Sequence, residues 1–310
     1  MSIESKKSEI YEDELIRLVS SSSDTSTQYV IFRNIEDDLF AINVAKVEEL
    51  IQNKDLTISK GTDKNSIIKS VAKIRDNMIT LVDFDKWLNP DFTSKEDTHE
   101  LIILCNYSEK RMGIIIKNVV GIQSIESSSM YPGSNKDEKT AYVAELNMAQ
   151  KTLCNIFNSD RLLMDVFPDI IESSQKSIDN AQDTNVTSKI ILVAEDSRLV
   201  QVPLGKLLSK SNYKYEMYEN GELLLNRLFK MNPSEIGLII ADIEMPIMDG
   251  MEMLGHIQNN TTYKDIPIIV HTNMANNAIQ KRATELGAIA IAKKLDLTSL
   301  NELIEKYSLK

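Results

Sequence analysis

Toward the end of the sequence, four apolar runs each stop on a group able to bind a metal or a phosphoryl oxygen. Residues 237–241 end at Asp242 and turn through Pro246 to Gly250, and residues 189–194 end at the adjacent acids Glu195 and Asp196. Residues 266–271 run into Thr272, and residues 287–292 into Lys293 and Lys294. Apolar runs without alternation suit strands covered on both faces of a parallel sheet, and such sheets place their sites at the carboxyl ends of the strands. Three carboxylates about 5 Å apart repel by about 3 kcal/mol per pair at an effective dielectric of about 20, so the site wants a cation. Oxygen donors alone point to Mg²⁺. A carboxylate nucleophile with a metal, a hydroxyl and an ammonium group is the equipment of phosphoryl transfer.

Each residue also has an ordinary use, since carboxylates after strands cap helices, threonine is common at strand ends and lysine is usually solvated. The specific signal is the order: acid pair, Asp, Thr, Lys at successive strand ends. On those residues, 189–310 resembles a two-component receiver domain. The resemblance implies that Asp242 is the phospho-acceptor. It implies that Glu195, Asp196, Asp242 and the backbone carbonyl of Glu244 hold Mg²⁺, and that Thr272 and Lys294 contact the phosphoryl group. Ile291 stands where that family commonly has an aromatic switch residue, and Leu295 replaces the usual proline. Pro203 falls inside the first helix, where it should remove a hydrogen bond and kink the chain. A phosphatase of the haloacid-dehalogenase type would want a second Asp two residues after the nucleophile, and Glu244 occupies that place.

The elements that must position these groups alternate between strand and helix patterns from residue 190 to residue 307. Five βα units predict a doubly wound, flavodoxin-like domain with strand order 2-1-3-4-5. Before it, residues 28–168 show short β-type runs at 29–32, 39–42, 78–82, 101–105 and 112–116, which predict a small-barrel or sandwich domain. Val71-Ala72-Lys73-Ile74 followed by residues 79–84 recurs as Val143-Ala144-Glu145-Leu146 followed by residues 151–156, so two related barrels are expected. Residues 67–76 and 79–88 resemble the signature of CheW-type chemotaxis coupling domains, and Val47-Glu48-Glu49-Leu50 matches the segment before it. That resemblance implies two five-stranded SH3-like barrels and partner contacts through Val47, Glu49 and Arg75. Ser70 and Asp76 depart from glycines usual in the family, and Lys117 from an aspartate.

With 310 residues the chain suits two domains, and its net charge of −11 argues against a nucleic-acid footprint. The first ten residues show no secretory signal and no run approaches the roughly 20 apolar residues of a membrane span, so a cytoplasmic protein without direct membrane insertion is expected. Cys105 and Cys154 lie in apolar runs and are expected to be reduced core residues. His99, His256 and His271 have no partners at zinc-ligand spacing. Residues 1–27 form a tail with a short amphipathic helix over 8–19, and the Ser-, Asp- and Asn-rich stretch 169–188 is expected to be a flexible linker. A CheW-like domain followed by a receiver resembles the layout of the CheV family. It implies a non-enzymatic scaffold at chemoreceptor arrays, with chemoreceptors and the histidine kinase CheA as partners. The alternative is a response regulator whose β-domain is a different effector; no Gly-rich phosphate loop or nucleophile–base pair in 28–168 supports it.

Overall fold

The computed structural model describes residues 27–52, 58–60, 66–93, 101–107, 110–133, 139–147, 151–182, 188–273, 277–294 and 296–308. The expected tail helix and Leu295 lie outside them. The chain divides into two compact units, Met1–Val166 and Phe167–Lys310. Among the described residues no helix is long and apolar enough to cross a membrane.

The first unit runs β1 (Thr27–Arg33), β2 (Leu39–Asn43), β3 (Val47–Gln52), β4 (Ile58–Lys60), β5 (Ile68–Ile74), β6 (Asn77–Asp83), α1 (Phe84–Leu88), β7 (Leu101–Tyr107), β8 (Lys110–Ile116), β9 (Asn118–Ile125), β10 (Met130–Pro132), β11 (Thr140–Asn147), β12 (Lys151–Phe157) and α2 (Ser159–Val166). These strands form two six-stranded sheets, β10-β11-β12-β2-β1-β9 and β3-β7-β8-β6-β5-β4. In each, the five expected strands gain a three-residue strand at one edge, β10 or β4. The edge strands β9 and β10 are consecutive in the chain, separated by Glu126 and a 3-10 turn at Ser127–Ser129. That connection reaches at most roughly 18 Å, whereas a flat six-stranded sheet would hold its edges roughly 24 Å apart. The sheet therefore curls into a barrel.

The repeated sequence segments take equivalent places. β5–β6 and β11–β12 are hairpins, each beside a short edge strand, and β6 and β12 each pair parallel with a further strand before a helix follows. Phe84 and Trp87 of α1 belong to an aromatic cluster in which Phe84 meets Phe32, Phe40 and Phe157 at centroid distances of 5.0–5.1 Å and Trp87 meets Phe157 at 5.9 Å. The Trp87 Nε1–H donates to Asp165 at 2.9 Å, so the one tryptophan is buried without losing its polar contact. Cys105 and Cys154 are buried and unbridged, and burial pushes both thiols up to about 12.

The second unit opens with α3 (Asp169–Asn180) and continues through β13 (Ile190–Ala194), α4 (Arg198–Lys210), β14 (Lys214–Tyr218), α5 (Gly221–Leu228), β15 (Ile236–Ala241), α6 (Gly250–Gln258), β16 (Ile268–His271), α7 (Asn277–Glu285), β17 (Ala290–Ala292) and α8 (Leu297–Ser308). The sheet is parallel with order β14-β13-β15-β16-β17, the expected 2-1-3-4-5. Ile191, Val193, Leu238, Ile240 and Ile269 pack with Leu204, Leu207 and Leu208 of α4 and with Leu300 and Ile304 of α8. Leu192, Ile239 and Val270 are buried as well, so both faces of the sheet are covered. Pro203 lies inside α4, which continues through it to Lys210.

The flexible linker expected over 169–188 is corrected over most of its length: residues 169–180 are helix α3, packed on α4 and α8. Its polar composition conceals one apolar anchor, Ile178, which is 7% exposed and joins the core cluster of the receiver-like unit. Ser174, one turn earlier on the same face, is also buried. Burying one isoleucine contributes about 1.5–3 kcal/mol at most, enough to hold a helix that would be marginal alone. Residues 183–187 lie outside the description.

Replacing Trp87 by Ala removes the largest side chain of the aromatic cluster and is expected to cost about 3–5 kcal/mol. Urea unfolding followed by circular dichroism should show the transition of the first unit moving to lower denaturant while that of the second stays in place.

Candidate functional site

Strand register sets the site. Ala194 pairs with Ala241, Ala241 with Val270, and Val270 with Ile291, so four strands finish in one row. The next residues are Glu195, Asp242, His271 and Ala292, and Thr272 and Lys294 follow one and two residues later. The ladder carries on past the strands: the Asp242 N–H donates to the Ala194 carbonyl at 2.9 Å and the Thr272 N–H to the Ala292 carbonyl at 3.0 Å. His271 is the buried last residue of its strand.

Lys294 is the junction. Its Nζ lies 2.8 Å from Asp242 Oδ2 and 3.0 Å from Glu195 Oε1, and all three side chains are buried. Asp242 Oδ1 accepts from the Ile243 N–H at 2.7 Å, and Glu195 Oε1 accepts from the Ser197 N–H at 3.1 Å. One ligand atom each from Glu195, Asp196 and Asp242 lies within 4.8 Å of the others. Burial pushes the Asp242 carboxyl well above the usual carboxylate range; Lys294 opposes that shift, and Glu195, Asp196 and Glu244 add to it. Three carboxylates against one ammonium leave negative charge in excess in a buried place. The donor chemistry therefore fits a hard divalent cation with oxygen ligands such as Mg²⁺. Thr272 is buried at its strand end, and Ile291 is half-buried in β17.

Several supporting groups escape sequence reasoning. Gln201, one turn into α4, donates from Nε2 to the Glu195 carbonyl at 2.6 Å, and the Glu195 N–H donates to the Tyr218 carbonyl at 2.9 Å. The loop after Asp242 is tightly folded: the Met248 N–H reaches the Pro246 carbonyl at 2.7 Å across Ile247, whose φ is +68°. A branched residue in that γ-turn conformation is strained. Gly250 then returns close enough that a Cβ would overlap the Asp242 carbonyl oxygen. Asp249 caps α6 by accepting from the Glu252 N–H at 2.8 Å, and that D-x-x-E spacing is the one signal a sequence reading could have used.

In the first unit, Arg75 and Glu49 do meet. Arg75 sits in the two-residue loop between β5 and β6 with φ +54°, and its Nη2 lies 2.9 Å from Glu49 Oε2 of β3. The Arg75 side chain is 71% exposed and that of Glu49 20%, so solvent screens the pair and leaves it worth under about 1 kcal/mol. Val47 opens β3 opposite Cys105 and is half-buried. The neighbouring Glu48 pairs with Arg111 at 3.1 Å. Lys117, where an aspartate was usual, pairs with Asp37 at 2.8 Å.

Residues 28–167 match the family model of the CheW-like domain, and residues 191–305 that of the response regulator receiver domain. Among similar proteins, Chemotaxis protein CheV1 of Helicobacter pylori is 26% identical, over 94% of this chain and 96% of its own length. Chemotaxis protein CheV3 of the same organism is 28% identical, over 87% and 88%. A solved structure, the scaffolding protein TtCheW from Thermoanaerobacter tengcongensis, covers 43% of this chain and 89% of its own at 19% identity, with a TM-score of 0.37.

The raised carboxyl of Asp242 has a stability consequence. Between the ordinary carboxylate pKa of about 4 and its higher folded value, the native state holds a proton that the unfolded state releases. Stability is therefore greatest at low pH in that window and falls as pH rises through it. Asp242→Asn removes the carboxyl whose ionisation burial opposes, so at pH 7 in a chelator the receiver of the variant should melt several degrees above wild type. Excess Mg²⁺ should raise the wild type more than the variant and narrow the gap. Calorimetry with and without Mg²⁺ checks both; a variant less stable than wild type in chelator would contradict the assignment of the strained charge.

Proposed function

We propose that this chain, a CheV-type fusion of a CheW-like domain with a response regulator receiver domain, couples chemoreceptors to the histidine kinase CheA and takes a phosphoryl group on Asp242. The pairing of domains is that of the CheV chemotaxis proteins, so the chain is a chemotaxis scaffold regulated by phosphorylation. The match of residues 28–167 to the CheW-like domain sets aside an unrelated effector β-domain.

One observation carries the assignment to Asp242: it is the buried strand-end carboxylate that touches Lys294 and has both acids of the Glu195–Asp196 pair within reach. In the reaction the Asp242 carboxylate attacks the phosphorus of a phosphorylated donor. The bond from phosphorus to the donor breaks as the oxygen–phosphorus bond forms, and water later hydrolyses the acyl phosphate. Mg²⁺, held by Glu195, Asp196, Asp242 and the Glu244 carbonyl, would supply the positive charge that keeps Asp242 ionised and neutralises the phosphoryl oxygens. Lys294 and the Thr272 hydroxyl donate to those oxygens, while Gln201 and the Ser197 N–H hold the acid pair in place. Ile291, in the position of an aromatic switch residue, offers no ring for Thr272 to move against. The protein is accordingly a signalling adaptor whose own chemistry is acceptance and slow loss of phosphate.

The partner contacts are assigned to Val47, Glu49 and Arg75 of the CheW-like domain. Arg75 combines exposure, a guanidinium and a backbone conformation that is costly for a non-glycine residue, which suits a contact held ready rather than one assembled on binding. Attachment to receptors would place the protein at membrane-associated arrays.

Phosphate incorporation by the full chain, measured with Mg²⁺ and acetyl phosphate as donor, should disappear in Asp242→Asn; labelling that persists would move the acceptor elsewhere. Arg75→Ala should leave that incorporation intact and weaken capture by CheA or receptor about tenfold, as for one interface hot spot. Equal capture by variant and wild type would remove Arg75 from the interface.

A further inference from the structure

The helix that precedes the receiver sheet is lightly anchored and touches α8, which begins three residues after Lys294. Apart from Ile178 and Ser174, α3 buries nothing; Ile170 is half-buried and Ile171 is exposed. Two further attachments are exposed polar bonds. Ser177 Oγ lies 2.7 Å from Thr298 Oγ1, and Lys210 Nζ of α4 donates to the Asp179 carbonyl at 2.5 Å, satisfying one of the last carbonyls of the helix. An open cleft of about 680 Å³ runs beside Ile178, lined among others by Gln201, Val202, Lys206 and Tyr215. Pro168 at the start of α3 supplies no side-chain cap. A twelve-residue helix with these attachments is marginal alone, so docking and helix formation are one equilibrium.

The contact with Thr298 ties that equilibrium to the site. Thr298 is in the first turn of α8, four residues after Lys294, and Leu297 beside it is buried in the same cluster as Ile178. Lys294 is held between Asp242 and Glu195. A phosphoryl group on Asp242 would give its ammonium new oxygens to follow and would draw on the start of α8.

We infer that α3 is a strap whose docking on α4 and α8 is loosened when Asp242 carries a phosphoryl group, which changes the length of free chain joining the two units. Docked, the strap leaves only Phe167 and Pro168 between the end of α2 and the start of α3. Released, it adds the twelve residues of α3 to the chain that joins the units. The same coupling runs in reverse, because two events that bias one equilibrium must bias each other by the same factor. Freeing the strap therefore tightens binding of a phosphoryl mimic. This inference rests on Asp242 being the acceptor.

Hydrogen exchange on the full chain, with and without Mg²⁺ and beryllofluoride, tests it. Wild type should show residues 169–182 exchanging about tenfold faster with the mimic, while residues 242–250 become protected. Ile178→Asp should exchange fast in 169–182 under both conditions and bind beryllofluoride several-fold more tightly. Ser177→Ala should shift both readouts in the same direction by less, and slow exchange in residues 236–241 reports that each variant keeps its fold. Protection of 242–250 in wild type with no change in 169–182 overturns the strap alone. No response at 242–250 overturns Asp242 as acceptor, and the coupling with it.

Discussion

A single buried ammonium, shared between two carboxylates, is the contact on which the receiver's chemistry depends. Lys294 meets Asp242 and Glu195 at ion-pair distance in a place water does not reach. Removing such a charge would strand both acids, a change far more costly than the ordinary worth of a surface pair. The geometry also leaves the site deliberately incomplete: one ammonium cannot balance three acids. Everything upstream serves that imbalance. Four strands must end in the same row for the charges to converge, and a slip of one residue in any of them would turn its functional group toward the opposite face.

The first unit is organised by repetition rather than by one contact. Each barrel uses a hairpin beside a three-residue edge strand, then a helix; Phe84 and Trp87 of α1 join an aromatic cluster with Phe157 of β12, and the Trp87 indole bonds to Asp165 of α2. In the tight β5–β6 turn, exposed Arg75 takes a conformation glycine would adopt more easily. The Glu49 contact orients the guanidinium but is too screened to account for the strain, which is held instead by the paired strands on either side.

Much of this was legible in the sequence because apolar runs and chemistry-bearing residues were adjacent along the chain. Asp242, Glu195, Asp196, Thr272 and Lys294 each follow an apolar run that reads as a buried strand, so the strand ends and the residues standing at them are legible together. The duplicated segments of the barrels were legible for the same reason. What escaped has no such local mark. Gln201 and the Ser197 N–H act through the fold of a turn, and the strain at Ile247 belongs to the backbone. The edge strands Ile58–Lys60 and Met130–Pro132 are too short to show a period. The stretch 169–188 reads as a linker because its composition is polar, whereas its helix is held by where Ile178 and Ser174 land.

The seat of Trp87 has a use beyond packing. It is the chain's one tryptophan, and it lies among phenylalanines in the first unit with its indole nitrogen bonded to Asp165. The receiver contains none, so intrinsic fluorescence excited at the indole band speaks for the CheW-like unit alone. Any event at Asp242 that alters that emission must have crossed from one unit to the other, which makes an unlabelled protein its own reporter of communication between its halves.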